Sequence, residues 1–244
     1  MAALLSPARF SVYSADIRHR VSTVSANSCL IRAYERDNLP PGAQIPVGSY
    51  ISGSRENLTQ ALISAAYFDV WNSSQYTEAL AYLYRTDVGA VGGLLNLKKF
   101  ELMLRCGLVP SAPFDSLGAF ARKYLVHIRA TRADVVATDF EREVGTILEA
   151  ISNGTYSESV LGPYNLMFTG IQADGARKPT KVCVNPIGPD SVKLDGTALT
   201  PNAKIKRTIL SKLGIPCVWI PYTEWTQLTP TEKKLYLHSS VVNS

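Results

Sequence analysis

Residues Asn202 to Leu237 read NAKIKRTILSKLGIPCVWIPYTEWTQLTPTEKKLYL, and the rest of the chain is organised around this stretch. Its first third has a helical period: Ile205, Ile209 and Leu213 recur at i, i+4 and i+8 and share one face. Lys204, Lys206, Arg207 and Lys212 occupy the remainder of the turn and are expected to point outward together. Gly214 supplies a stop, because it adopts positive φ without a Cβ clash. Ile215 to Ile220 is a short β-branched and aromatic run closed by Pro221, which predicts a buried strand with Trp219 alternating into the core. A Tyr-Thr-Glu-Trp turn follows, then a helix after Thr229, with Glu232 placed three residues on to complete a cap.

The order is helix, Gly, strand, Pro-Tyr, Trp, helix. It stands here as Lys206-Arg207-Thr208-Ile209 and Gly214, then Ile220-Pro221-Tyr222-Thr223-Glu224-Trp225, and finally Leu235-Tyr236-Leu237. This pattern resembles the RAP domain, a family found mostly in organellar RNA-metabolism proteins. The family pattern is a basic K-R-x-L-x-x-x-G helix, a strand ending in I-P-Y-x-x-W and a closing helix ending in Y-L. The resemblance implies an α/β, restriction-endonuclease-like domain with a small mixed sheet and flanking helices, and it implies RNA as a partner.

Working outward, the net charge of +5 matters less than its distribution. Arg177 to Lys212 holds eight Lys or Arg and two Asp, an excess of six. Cys29, Cys106, Cys183 and Cys217 form no C-x-x-C pair, which argues against a zinc site or a disulfide framework and suits a reducing compartment. No run approaches the ~20 apolar residues of a membrane span, so no membrane insertion is expected. The first 33 residues set Arg9, Arg18, Arg20 and Arg32 against Asp16 alone, amid many Ser and Ala. That composition is expected of an organellar transit peptide, mitochondrial or of another organelle. The alternative is a basic arm that stays on the mature protein.

Residues 34–54 read as a linker, with Leu39-Pro-Pro-Gly-Ala beginning its Pro/Gly/Ser-rich part. Residues 55–138 read as a helical region. Leu58, Leu62, Ala65 and Ala66 form one face, Thr77 to Tyr84 a second helix, Leu94 to Leu104 a third and Phe114 to Ala130 a fourth. The fourth places Leu117, Phe120, Tyr124 and Ile128 at i, i+3, i+7 and i+11. Gly89 to Gly93 lacks a phosphate-binding Lys in register and reads as a loop. No clean repeat period emerges. The RAP-like domain is expected over 139–240, opening with a helix from Asp139 to Ile151. Tyr164 to Ile171 and Lys181 to Val184 are expected as paired strands joined by a hairpin loop at 173–179.

Catalytic chemistry finds little support. Nucleases of the fold implied by the resemblance hold a divalent metal with an Asp on one strand and an acidic-x-Lys pair on the next. Many RAP domains end the corresponding strand E-x-D-G-P. Here it reads Val184-Asn185-Pro186-Ile187-Gly188-Pro189, so an amide and an aliphatic group replace both carboxylates. On the preceding strand the acidic position falls at Leu166 or Met167. No metal, no cofactor and no enzymatic activity are expected. His19, His127 and His238 stand apart and in no triad or metal motif.

RNA binding finds more. Lys204, Lys206, Arg207, Lys212, Arg177, Lys178, Lys181 and Lys193 are candidates to neutralise phosphates. Tyr222 and Trp225 are candidates to stack on unpaired bases, contacts worth ~1–3 kcal/mol each. The expected function is non-catalytic RNA binding in the mitochondrial matrix, as an rRNA-contacting subunit of the mitochondrial ribosome among neighbouring proteins of that particle. Two alternatives stand beside it: an RNA endonuclease or processing factor with a remodelled site, and a structural accessory subunit of a mitochondrial complex without RNA.

Overall fold

The computed structural model describes residues 28, 30–38, 55–85, 91–152, 155–170, 181–193 and 198–243. The chain divides into two compact units, Met1–Arg132 and Ala133–Ser244. The division falls just ahead of the 138/139 boundary expected from sequence, and residues 133–138 carry neither helix nor strand. Of the expected linker, residues 34–36 complete a helix, whereas 39–54 lie outside the described residues together with 1–27 of the basic arm.

In the first unit the described elements are helices: α1 (30–36), α2 (Arg55–Phe68), α3 (Ser73–Arg85), α4 (Val91–Arg105) and α5 (Ala119–Ala130). Leu58, Leu62, Ala65 and Ala66 are buried along α2, as their spacing predicts. Helix α3 starts earlier than Thr77 because Asn72 and Gln75 cap it reciprocally: Asn72 Oδ1 accepts from the Gln75 N–H at 3.1 Å and Gln75 Oε1 from the Asn72 N–H at 2.8 Å. Helix α4 reaches back to Val91, so Gly92 and Gly93 form its first turn instead of a loop. Packing of its later turns against α2 and α5 outweighs the weak helix propensity of glycine. The expected fourth helix is shortened. Phe114–Ser116 is a separate 3-10 turn between Pro113 and Gly118, and α5 begins only at Ala119. Phe120 consequently lies outside the core, 44% exposed, while Ala121 and Leu125 join Tyr124 and Ile128 inside it.

The second unit is α/β: α6 (Asp139–Ile151), β1 (Ser157–Leu161), β2 (Tyr164–Thr169), β3 (Val182–Ile187), α7 (Pro201–Lys212), β4 (Cys217–Pro221), α8 (Tyr222–Trp225) and α9 (Pro230–Val242). The four strands form one mixed sheet in the order β1-β2-β3-β4. The β1–β2 and β2–β3 pairs are antiparallel, and β3–β4 is parallel with α7 in the connection. Strand β1 was not visible in the sequence, since Ser157-Glu158-Ser159 shows no apolar alternation and the strand sits at the sheet edge. The loop expected at 173–179 lies outside the described residues.

Alternate residues of each strand serve opposite faces. Val182 and Val184 of β3, Met167 of β2 and Ile220 of β4 pack with Phe140, Val144 and Leu148 of α6, Leu237 and Val241 of α9, and Trp225. Gly145 lets α6 come close: a Cβ there would meet Tyr156 Oη at 2.8 Å. On the opposite face Cys183, Leu166 and Leu210 of α7 are buried, with Tyr164, Phe168, Cys217 and Trp219 packed partly exposed around them. Leu210 takes the core position expected of Leu213, which is 40% exposed beyond the last turn of α7. Gly214 ends that helix with φ +64°, and Thr229 with Glu232 forms the expected capping box of α9.

The two tryptophans exchange their expected places. Trp225 is 1% exposed in the larger core, so its ring is not available to stack on a base. Trp219 is half-buried on the α7 face and not enclosed. Both α6 and α9 cover one face, whereas α7 alone covers the other and leaves rings at its rim partly exposed.

Candidate nucleic-acid interface

The α7 face of the sheet assembles cations over aromatic rings. Lys181 Nζ lies 4.8 Å from the centre of the Phe168 ring, Lys206 Nζ 5.4 Å from that of Tyr164, and the Arg207 guanidinium 5.9 Å from Trp219. Such pairs contribute ~0.5–1 kcal/mol each at exposed sites and hold the charged heads at a common surface. Lys181 and Arg207 are exposed, so their N–H donors face solvent. Lys206 is not an outward-pointing charge. It is half-buried, and its amine is held below the ordinary lysine range by burial, with Glu141, Cys183 and Cys217 acting in the opposite direction. Lys212 is exposed in the last turn of α7, while Lys204 in its first half and Lys193 next to the Val192–Leu199 bridge are half-buried. Arg177 and Lys178 lie outside the described residues.

Beside this face a cleft of about 320 Å³ opens at the C-terminal ends of β3 and β4. The β2–β3 register stops at Val184, while β3 continues alongside β4 through Ile187. Pro186 lies beyond the part of β3 that pairs with β2, where no ladder bond needs the N–H that proline lacks. Asn185, Trp219, Lys206, Tyr222 and the first turn of α6 line the cleft. Asn185 is opposite Trp219 in the parallel register and only 4% exposed, on the same sheet face as Cys183. Its carboxamide makes no hydrogen bond among the described residues. Tyr222 is 39% exposed and packs edge-on against Phe140 at 5.2 Å.

Among the described residues, two of the three carboxylates lining the cleft have local duties, while Asp190 is exposed to solvent. Glu141 Oε2 accepts from the Thr138 N–H at 2.8 Å in the capping box of α6, and Asp139 pairs with Arg142. Among the described residues no group of three or more His, Cys, Asp or Glu is placed to hold one metal ion.

The segment that follows Asn185 matches a known family. Residues 188–240, from the end of β3 through α9, match the model of the RAP domain. This chain carries a RAP domain. No curated protein matches the chain. The RAP match indicates an RNA-binding or RNA-associated function, and it covers α7, β4 and α8. Asn185, α6 and the first three strands precede the matched residues, and they share the sheet and the cleft with them. Among the described residues no helix is long and apolar enough to cross a membrane.

Sequence reasoning thus located Lys206, Arg207, Lys181 and Tyr222 but missed Asn185, Tyr164 and Trp219 as parts of the same surface. The alternation Cys217-Val218-Trp219-Ile220 separates two faces without saying which one is double-covered. Only the packing of α8 and α9 decides that.

Proposed function

We propose that this protein binds RNA without cleaving it, and that its setting is the mitochondrial ribosome, where it contacts rRNA. The observation that carries the RNA reading is the row of Lys181, Lys206 and Arg207 over Phe168, Tyr164 and Trp219 on the α7 face of the sheet. Cations held at a surface over rings suit a flexible polyanion, because the heads neutralise phosphates while the rings offer stacking surface to bases. The absence of cleavage is supported by Asn185 and Ile187, which stand where the nuclease pattern requires carboxylates. An amide and an alkyl group supply none of the charge that would retain a divalent ion. The mitochondrial setting is supported by the Arg-rich, acid-poor composition of residues 1–33.

The test is a salt series of single-stranded RNA binding for the wild type and a Lys181→Glu/Arg207→Glu variant, both sites being exposed. The variant should keep its melting curve, because surface changes stay within ~0.5 kcal/mol. Its affinity should fall and its salt slope flatten by ~0.7 per lost contact. Equal affinity and slope would refute the assignment of this face. Sedimentation of the tagged protein with the small or large ribosomal subunit, lost on ribonuclease treatment, tests the setting.

A further inference from the structure

The cleft beside the basic face has a feature that phosphate neutralisation does not use. Asn185 is buried to 4% exposure, faces the cleft and has no hydrogen-bond partner for its carboxamide among the described residues. Its carboxamide is not among the fully enclosed polar atoms left without a partner, so the cleft is where it meets water or a ligand. The walls beside it are aromatic, with Trp219 on the adjacent strand and Tyr222 at the mouth. The volume, about 320 Å³, is at the small end of the range for ligand sites. Of the acidic groups lining it, Glu141 is engaged in its capping box and Asp139 with Arg142, while Asp190 is exposed to solvent.

Resting on the RNA reading above, we infer that this cleft receives one unstacked base of single-stranded RNA, and that Asn185 reads it as adenine. A carboxamide presents one donor and one acceptor side by side, which matches the N7 acceptor and N6 amino donor of adenine with two hydrogen bonds. Guanine offers two adjacent acceptors on that edge and suits a cationic donor fork better. Lys206, the one lysine lining the cleft among the described residues, holds its Nζ over the Tyr164 ring. Base faces stack on aromatic side chains in RNA recognition, and Trp219 and Tyr222 supply them here. The basic face then tracks the backbone on either side without choosing sequence.

The experiment measures binding of the full chain to oligoadenylate, oligouridylate and oligo-7-deazaadenylate of equal length. Wild type should bind oligoadenylate roughly tenfold more tightly than oligouridylate, the scale expected of one bidentate contact. Asn185→Ala should bring oligoadenylate down to the oligouridylate level, and Lys181→Glu/Arg207→Glu should weaken both alike. The 7-deaza oligomer lacks the acceptor that Asn185 contacts, so wild type should bind it no better than oligouridylate. That comparison leaves the protein unaltered and decides the matter even if Asn185→Ala fails to fold. Equal binding of adenylate and its 7-deaza form, or a preference that survives Asn185→Ala, would overturn the base pocket and leave the RNA reading standing. Binding to none of the three would overturn both.

Discussion

The two faces of the C-terminal sheet are made from the same strands and differ only in alternate residues. One presents Val182, Val184 and Ile220 to α6, α9 and Trp225, and closes into a dry core. The other presents Cys183, Asn185, Cys217 and Trp219 to a single helix, α7, whose Lys206 and Arg207 lie over the rings at its margin. Complete cover by two helices leaves no group at the surface to meet a ligand, while partial cover leaves half-exposed rings and cations held in place. Stability should therefore reside on the first face and binding on the second, and substitutions can break or sharpen that separation.

The largest effect is expected at Trp225. Truncating this enclosed ring to alanine should destabilise the domain by ~3–5 kcal/mol, read as a shift in the urea midpoint. A midpoint close to wild type would mean that the first face is not where stability lies. Trp219→Ala removes a half-buried ring instead, and we expect ~1–2 kcal/mol together with weaker RNA binding. If Trp219→Ala matched Trp225→Ala in denaturation, the contrast between the faces would disappear.

Lys206→Met sharpens the contrast with an opposite sign. Burial holds the Lys206 amine below its ordinary range, so the folded protein binds this proton less tightly than the unfolded chain. The resulting penalty is present at neutral pH and vanishes as pH rises through the unfolded lysine value of ~10.4. A neutral isostere should thus stabilise the fold at pH 7 by about 1 kcal/mol while lowering RNA affinity. Loss of both stability and affinity would place Lys206 among the structural residues.

The smallest effect concerns the ion pair that links α6 to α9 on the closed face. Lys233 Nζ donates to Glu143 Oε1 at 2.7 Å and holds that carboxyl below its usual range, chiefly through this hydrogen bond. A depressed carboxyl contributes stability above its unfolded value of ~4.3 and loses it as pH falls through the lower folded value. Glu143 is 47% exposed, so screening limits the contribution to ~0.5 kcal/mol. Urea midpoints at pH 7 and pH 3 should differ less in Lys233→Met than in wild type, and an unchanged difference would remove the ion pair from the account.

Local chemistry was legible in the chain itself. The bounds of α6 from Asp139 to Ile151, the stop at Gly214 and the Thr229–Glu232 cap each follow from residues in direct sequence proximity. Capping and positive φ are settled within one turn of backbone, so no distant contact is needed to predict them. The start of α5 at Ala119 and the helical state of Gly92 and Gly93 were less legible, because there tertiary packing competes with propensity. Strand β1 was hidden for a related reason: an edge strand buried on neither face carries no periodic signal.

What the amino-acid order determined by itself was most of the succession of elements from α6 to α9, with β1 missing and α8 read as a turn, together with the two faces of β4 and the basic character of α7. What only the tertiary structure decided was the allotment of those faces. Trp219 and Trp225 are the same residue type a few positions apart, and their fates differ because α8 turns Trp225 under α6 while β4 leaves Trp219 beneath α7 alone. The same allotment draws Lys206 inward over Tyr164 and leaves Asn185 facing a cleft at the C-terminal ends of β3 and β4. Burial is a property of how many layers lie over a position, and that number is set by chain segments far away in sequence.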